Sequence, residues 1–133
     1  MSFRNKVIWI TGASSGIGKA LAIELSNQNA LLIISARNKN SLEIVKKSCK
    51  NPKNVWIISL DLEKDTTFNE ITQRAVNVFG RIDVLVNNGG ISQRSLATET
   101  HISVDKKIME VNYIGTITLT KALLPHFIEN KKG

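Results

Sequence analysis

Apolar residues along the chain fall into short continuous runs that alternate with segments of helical period. Lys6 to Thr11, KVIWIT, is a β-branched run that stops at Gly12, as a buried strand ended by a turn does. Past the glycines, Ile17, Leu21 and Leu25 recur every four residues and put one apolar stripe on a helix from about Gly16 to Gln28. Asn29 follows as a left-handed C-terminal cap. Leu31 to Ser35, LLIIS, is again uninterrupted, which predicts a strand covered on both faces. Leu42, Val45 and Cys49 line one side of a surface helix from Lys39 to Lys50, and Pro52 blocks its continuation.

The alternation repeats. Val55 to Leu60, VWIISL, predicts a third strand. Phe68, Ile71, Ala75 and Phe79 form the stripe of a third helix closed by Gly80. Ile82 to Val86, IDVLV, predicts a fourth strand, and the turn-rich NNGG follows at positions 87–90. A long helix then runs from about Val104 to Glu129, with Ser103 as its N-cap and Pro125 bending it or marking its last turn. Strands alternating with amphipathic helices predict an α/β fold: a Rossmann-type, doubly wound parallel sheet in three α/β/α layers. Right-handed crossovers give the strand order 3-2-1-4. No repeat, low-complexity tract or linker divides residues 1–133, which read as one dinucleotide-binding domain, incomplete on its C-terminal side.

Composition changes this picture little. With 42% hydrophobic residues the chain can build a core. The formal charge of +7 raises nucleic acid or an anionic membrane as partners. Yet Lys and Arg are scattered in ones and twos, with few aromatics between them, so the expectation is a solvated basic surface and no nucleic-acid site. The single cysteine, Cys49, has no intrachain partner and fits a reducing, cytoplasmic setting. No metal-ligand spacing surrounds it. Neither a signal peptide nor a run of about 18 apolar residues is found.

The candidate chemistry begins at the first turn. TGASSGIG places Gly12, Gly16 and Gly18 between a strand and a helix, the setting a phosphate-binding turn requires. Gly12 allows the sharp turn, Gly16 leaves no side chain against a diphosphate, and Gly18 lets helix and strand approach. The free N–H groups and positive end of the helix then face negative charge, and Ser14 and Ser15 add hydroxyl donors. At the end of the second strand an acid for a ribose 2′-hydroxyl is missing: Ala36 stands there, followed by Arg37. A guanidinium binds a 2′-phosphate that an acid would repel, so NADP(H) is expected over NAD(H).

TGASSGIG, Asp61 after the third strand, NNGG after the fourth and Asn112 in the long helix occur in the order and near the spacing of the short-chain dehydrogenases/reductases, which this chain resembles over almost its whole length. The family's NNAG has Gly89 in its third place here. NNGGISQRSLATET also looks like the dehydrogenase/reductase member 7 branch. The resemblance implies that Gly12, Ser14, Ser15, Gly16, Ile17 and Gly18 surround the diphosphate, Ile17 through its backbone. It further implies that Asp61 accepts from the adenine amino group, that Leu62 packs beside that ring, and that Asn87 lies near the cofactor and fastens the fourth strand to its neighbour. Apart from the resemblance, Asp61 also reads as a capping residue and Asn87 and Asn88 as turn chemistry.

By the same resemblance the intact protein is an oxidoreductase acting on a carbonyl or alcohol, a homo-oligomer at full length. A Ser, a Tyr and the Lys four residues beyond it would do acid–base work, with Asn112 keeping a water relay in place. Of that set only Asn112 occurs here. The sole tyrosine, Tyr113, has Ile117 four residues on, so the chain alone is expected to be inactive. A non-catalytic dinucleotide-binding module or sensor is the competing reading. His101 and His126 lack companions and read as surface or helix-end residues. Without a further strand, IDVLV is expected to be an unpaired sheet edge prone to self-association.

Overall fold

The computed structural model describes residues 2–133. Four parallel strands form one sheet in the order β3-β2-β1-β4: β1 (Val7–Thr11), β2 (Leu31–Ser35), β3 (Val55–Ile57) and β4 (Val84–Val86). This is the predicted order. In register, Ile8 and Ile10 of β1 lie beside Leu32 and Ile34 of β2 on one side and beside Val84 and Val86 of β4 on the other.

Alternation along the strands splits the core into two layers. Val7, Trp9 and Ile33 point to one face, where they meet Phe68 and Ala75 of α3 (Phe68–Phe79) and Leu119 and Leu123 of α5 (Thr116–Asn130). Ile8, Ile10, Leu32 and Ile34 point to the other and meet Ala22 and Leu25 of α1 (Gly16–Asn27) and Leu42 and Val45 of α2 (Lys39–Ser48). All four strand residues on that second face are at most 1% exposed, which is why the runs carry no polar positions. A buried polar pair inside the sheet is satisfied: the Trp9 indole N–H donates to Ser35 Oγ at 2.9 Å.

Helix ends follow local chemistry. Past α1, Asn29 adopts φ 60°, and the N–H groups of Asn29 and Ala30 bond the carbonyls of Ser26 and Leu25, a double-bonded left-handed cap. Asn38 Oδ1 accepts from Ser41 N–H to start α2, and Gly80 ends α3 at φ 78°.

Several boundaries differ from expectation. The ladder of β3 stops at Ile57, although Ile58 and Leu60 still donate to the carbonyls of Ile34 and Ala36. β4 begins at Val84, although the Asp83 N–H still donates to the Val7 carbonyl and its carboxylate accepts the Val7 N–H. The long helix begins earlier, as α4 (Ile102–Met109), and its cap is His101 rather than Ser103: the imidazole Nδ1 accepts the Ser103 N–H. A wide π turn, Glu110–Gly115, joins α4 to α5, and α5 carries Pro125 inside it and runs on to Asn130. His126 is more than a surface residue, since its Nε2 accepts the Ile82 N–H at 3.1 Å and ties α5 to the approach of β4. No helix among the described residues is long and apolar enough to cross a membrane.

At the opposite end of the sheet from the glycine turn, Asp83 Oδ2 accepts from Val7 N–H at 2.8 Å and from Arg81 Nε at 3.1 Å, while Arg81 Nη2 donates to the Asn5 carbonyl. Burial alone would raise the Asp83 carboxyl, but the Val7 amide, Arg81 and Lys6 outweigh it and hold its pKa below the ordinary value. A carboxyl whose folded pKa is depressed stabilises the fold above its unfolded pKa of about 3.9, and that stability is lost as pH falls through the lower folded value. Asp83→Asn should therefore cost on the order of 1–2 kcal/mol in urea unfolding at neutral pH. The gap to wild type should narrow as pH falls below the unfolded value and through the lower folded one, because the aspartic acid then becomes as neutral as the asparagine.

Candidate functional site

At the C-terminal ends of β1 and β2, a cleft of about 700 Å³ opens between the glycine turn, the end of β2, the end of the β3 segment and the residues after β4. Neighbours β2 and β4 leave β1 towards helices on opposite faces, and such a switch point is where open α/β sheets hold ligands. The volume lies within the range of about 300–1,000 Å³ typical of ligand pockets.

The turn divides its residues between structure and cleft. Ala13 is fully buried, and its N–H donates to the Ser35 carbonyl, pinning the turn to β2. Gly18 is buried too, and a methyl group there would collide with the Gly12 carbonyl and with Asn88 Nδ2. Gly12, at φ 64°, is pressed against Gly89: an added Cβ would lie 2.7 Å from the Gly89 Cα. Gly16 is the opposite case, since at φ 53° its missing side chain would meet nothing within 4 Å. Ser15, Gly16 and Ile17 are exposed and line the cleft, as do Gly12 and Ser14. Ser15 occupies the N-cap of α1 without a side-chain capping bond. The first N–H groups of α1, which no helix can satisfy internally, are thus presented to the cleft with the positive end of the helix dipole. An open, amide-lined, uncapped helix start fits a diphosphate.

The far wall is built by hydrogen bonds that no spacing announces. Thr11 Oγ1 accepts the N–H groups of Asn88 at 3.1 Å and Gly89 at 2.9 Å. Asn88 Nδ2 donates back to the carbonyls of Thr11 and Gly12 at 3.2 and 3.1 Å. Asn88 therefore makes the tie between β4 and β1 that was expected of Asn87. Adjacent residues on extended backbone point to opposite sides, and Asn87 Nδ2 instead reaches Thr120 Oγ1 of α5 at 3.0 Å. Thr11 and Asn88 are positioning residues that sequence reasoning missed. Their only signal was polarity at the two strand ends flanking the glycine turn.

Arg37, Asp61 and Leu62 also line the cleft. Arg37 is exposed at its rim and, among the described residues, makes no hydrogen bond or ion pair. Asp61 Oδ1 accepts the Glu63 N–H at 3.1 Å, so the carboxylate does shape the local turn, while Oδ2 lies 3.9 Å from Lys64 Nζ. Leu62 is 8% exposed and wedged between Gly89 and Gly115, where its carbonyl would collide with any side chain at Gly115.

Asn112 sits in the π turn and faces the segment after β4. Its Oδ1 accepts the Ile91 N–H and its Nδ2 donates to the Ile91 carbonyl, both at 2.8 Å. The side chain, although exposed, acts as a two-bond clasp holding Gly90 and Ile91 at the cleft wall, so the asparagine is not idle. Tyr113 points to solvent, 54% exposed, and is not part of the cleft. Among the described residues no group of three or more His, Cys, Asp or Glu is placed to hold a metal. Cys49 is buried, and burial raises its thiol pKa against a smaller opposing effect of Ser26, leaving it protonated at neutral pH.

Comparison with known proteins gives the same frame. A family model for the short chain dehydrogenase matches residues 6–133. The chain is 47% identical over 132 residues to human dehydrogenase/reductase SDR family member 7, covering 96% of this chain and 39% of that protein. It is 40% identical over 142 residues to the SDR family protein 7-like of Drosophila melanogaster, covering 98% and 43%. It thus spans about two fifths of the length of these curated relatives. Among solved structures, a 3-ketoacyl-(acyl-carrier-protein) reductase from Brucella melitensis complexed with NADH matches at TM-score 0.89 and 31% identity, over 97% of this chain and 52% of that one. A short-chain type dehydrogenase/reductase from Mycobacterium marinum matches at TM-score 0.91 and 22% identity, over 99% and 54%, a likeness of fold.

The two glycines make separable demands. Gly18→Ala should lower stability by about 1–3 kcal/mol or more, because backbone and Asn88 must move to admit the methyl group. Gly16→Ala should cost only about 1 kcal/mol, the strain of a left-handed alanine with no clash. Chemical unfolding of both variants checks this, and equal losses would contradict the division of labour.

Proposed function

Since the chain belongs to the short-chain dehydrogenase family, we propose that it is the cofactor-binding half of an oxidoreductase that moves a hydride between a nicotinamide and a carbonyl or alcohol, with NADP(H) preferred over NAD(H). The observation that carries this reading is the uncapped start of α1, with Gly16 opening onto a cleft of sufficient volume.

The division of labour follows from the cleft walls. Gly12, Ser14, Ser15, Gly16 and Ile17 hold the diphosphate with backbone N–H groups and hydroxyls, while Gly18 keeps helix and strand close enough to aim them. Asp61 and Leu62 receive the adenine end, the carboxylate as acceptor and the leucine as an apolar floor. Arg37 meets the 2′-phosphate, for which its exposed guanidinium, unpaired among the described residues, is suited. Asn88 shapes the wall, and Asn112 holds Gly90 and Ile91 in place beside it. The bound cofactor supplies or accepts the hydride. Proton transfer to the substrate oxygen needs a Tyr with a Lys four residues on, and these 133 residues contain no such pair.

Calorimetric titration with NADPH and NADH tests the reading. NADPH should bind more tightly, and Arg37→Ala should weaken it about tenfold while leaving NADH nearly unchanged. Gly16→Val should abolish binding of both in a folded protein. No turnover of carbonyl substrates is expected from this chain. Equal affinity for both dinucleotides, insensitive to Arg37→Ala, would overturn the NADP(H) assignment.

A further inference from the structure

Beyond the rim of the main cleft lies a second hollow of about 310 Å³, bounded by Arg37, Ser59, Asp61, Lys64, Thr67 and Ile71. It shares Arg37, Leu60 and Asp61 with the main cleft, so the two spaces meet where the β2 and β3 segments end. Two cations, two hydroxyl residues and one carboxylate make its polar wall.

Local bonding brings Lys64 to this junction. The Lys64 N–H donates to the Asp61 carbonyl at 3.0 Å, and Thr67 Oγ1 donates to the Lys64 carbonyl at 2.9 Å, so the backbone is held from both sides. The side chain is not so committed. Its ammonium lies 3.9 Å from Asp61 Oδ2 and the side chain is 72% exposed, a loose pair that can swing towards a stronger anion. Asp61 has one oxygen on the Glu63 N–H and the other towards this ammonium, so its charge is partly answered within the turn.

The charge balance decides what suits the hollow. A phosphate monoester carries about −1.5 to −2 at neutral pH, which one guanidinium leaves unbalanced. Arg37 offers planar paired donors from one wall, and Lys64 a compact, mobile point charge from the other. Resting on the cofactor reading above, we propose that Lys64 is a second specificity-determining cation, which with Arg37 holds the cofactor's 2′-phosphate at the junction of the two cavities. When the phosphate is absent, Asp61 retains the ammonium at the mouth.

The test is calorimetric titration at low salt with NADPH, NADH, adenosine 2′,5′-bisphosphate and 5′-AMP. Lys64→Gln should weaken NADPH and the bisphosphate about three- to tenfold and leave NADH and 5′-AMP unchanged, with Lys64→Arg restoring most of the loss. The thermal midpoint of Lys64→Gln should match wild type, as befits an exposed side chain. If Lys64→Gln binds NADPH as wild type does while Arg37→Ala weakens it, the role of Lys64 is refuted and the cofactor assignment stands. An equal loss for NADPH and NADH refutes it as well, since Lys64 would then act on the adenine end or on the turn. Failure of wild type to bind either dinucleotide brings down the cofactor reading itself, and this inference with it.

Discussion

The site depends on one close approach: the first turn of α1, the end of β1 and the segment after β4 meet backbone to backbone, with no side chain between them. Gly18 against the Gly12 carbonyl and Gly12 against Gly89 set that spacing, and Gly89 in turn abuts Leu62 and Thr11. A β-carbon at Gly12 would push the segment after β4 away from β1, and one at Gly18 would push α1 off the sheet. The uncapped amides of Gly16 and Ile17 would then no longer point into the cleft. Hydrogen bonds lock what sterics permit, because Thr11 Oγ1 and the Asn88 side-chain amide together make five bonds across the β1–β4 seam. The glycines are thus a structural requirement first, and an opening for a ligand only at Gly16.

From this seam the two-layered core explains where the cleft lies. Val7 and Trp9 commit one face of β1 to α3 and α5, while Ile8 and Ile10 commit the other to α1 and α2. Chains leaving the C-terminal ends of β1 and β4 therefore diverge to opposite faces, and a gap between them is unavoidable. The Asp83 cluster closes the other end of β1 against β4, with the Ile82–His126 bond holding α5 to the same edge. Anchored at its N-terminal end and bonded by Thr11 and Asn88 at its C-terminal end, the β1–β4 pair is a rigid base for a ligand.

Legibility from sequence follows the range of the interaction involved. Strands buried on both faces announce themselves as apolar runs, so KVIWIT and LLIIS are placed to within a residue, and the order 3-2-1-4 follows from chain chirality. Edge strands are less legible, because β3 and β4 are paired on one side only and their regular ladders are shorter than their apolar runs, although single bonds to the neighbouring strand continue past their ends. The helix cap at His101 is missed because an imidazole acceptor is a rarer cap than the nearby Ser103 hydroxyl. In the site, residues acting through backbone conformation are readable, since only glycine meets that demand. Residues acting through a partner far along the chain are not. Asn88 and Asn87 look alike in sequence, and their different partners, at the glycine turn and on α5, follow from the strand's alternation.

The π turn shows how one local irregularity serves both walls. A wide turn at Glu110–Gly115 lets Gly115 lie against the Leu62 carbonyl, so the segment beneath the cleft packs directly on the helix. The same turn presents Asn112 to the backbone of Ile91, where its amide supplies one acceptor and one donor in the geometry of a neighbouring strand. The segment after β4 has no ladder partner of its own there, and the asparagine takes that place. Lys107 of α4 pairs with Glu63 at 3.4 Å one turn earlier, fastening the Asp61–Lys64 turn to the same helix. The long helix therefore braces the adenine-side turn and the Gly90–Ile91 wall together, and a shift of α4 would move both.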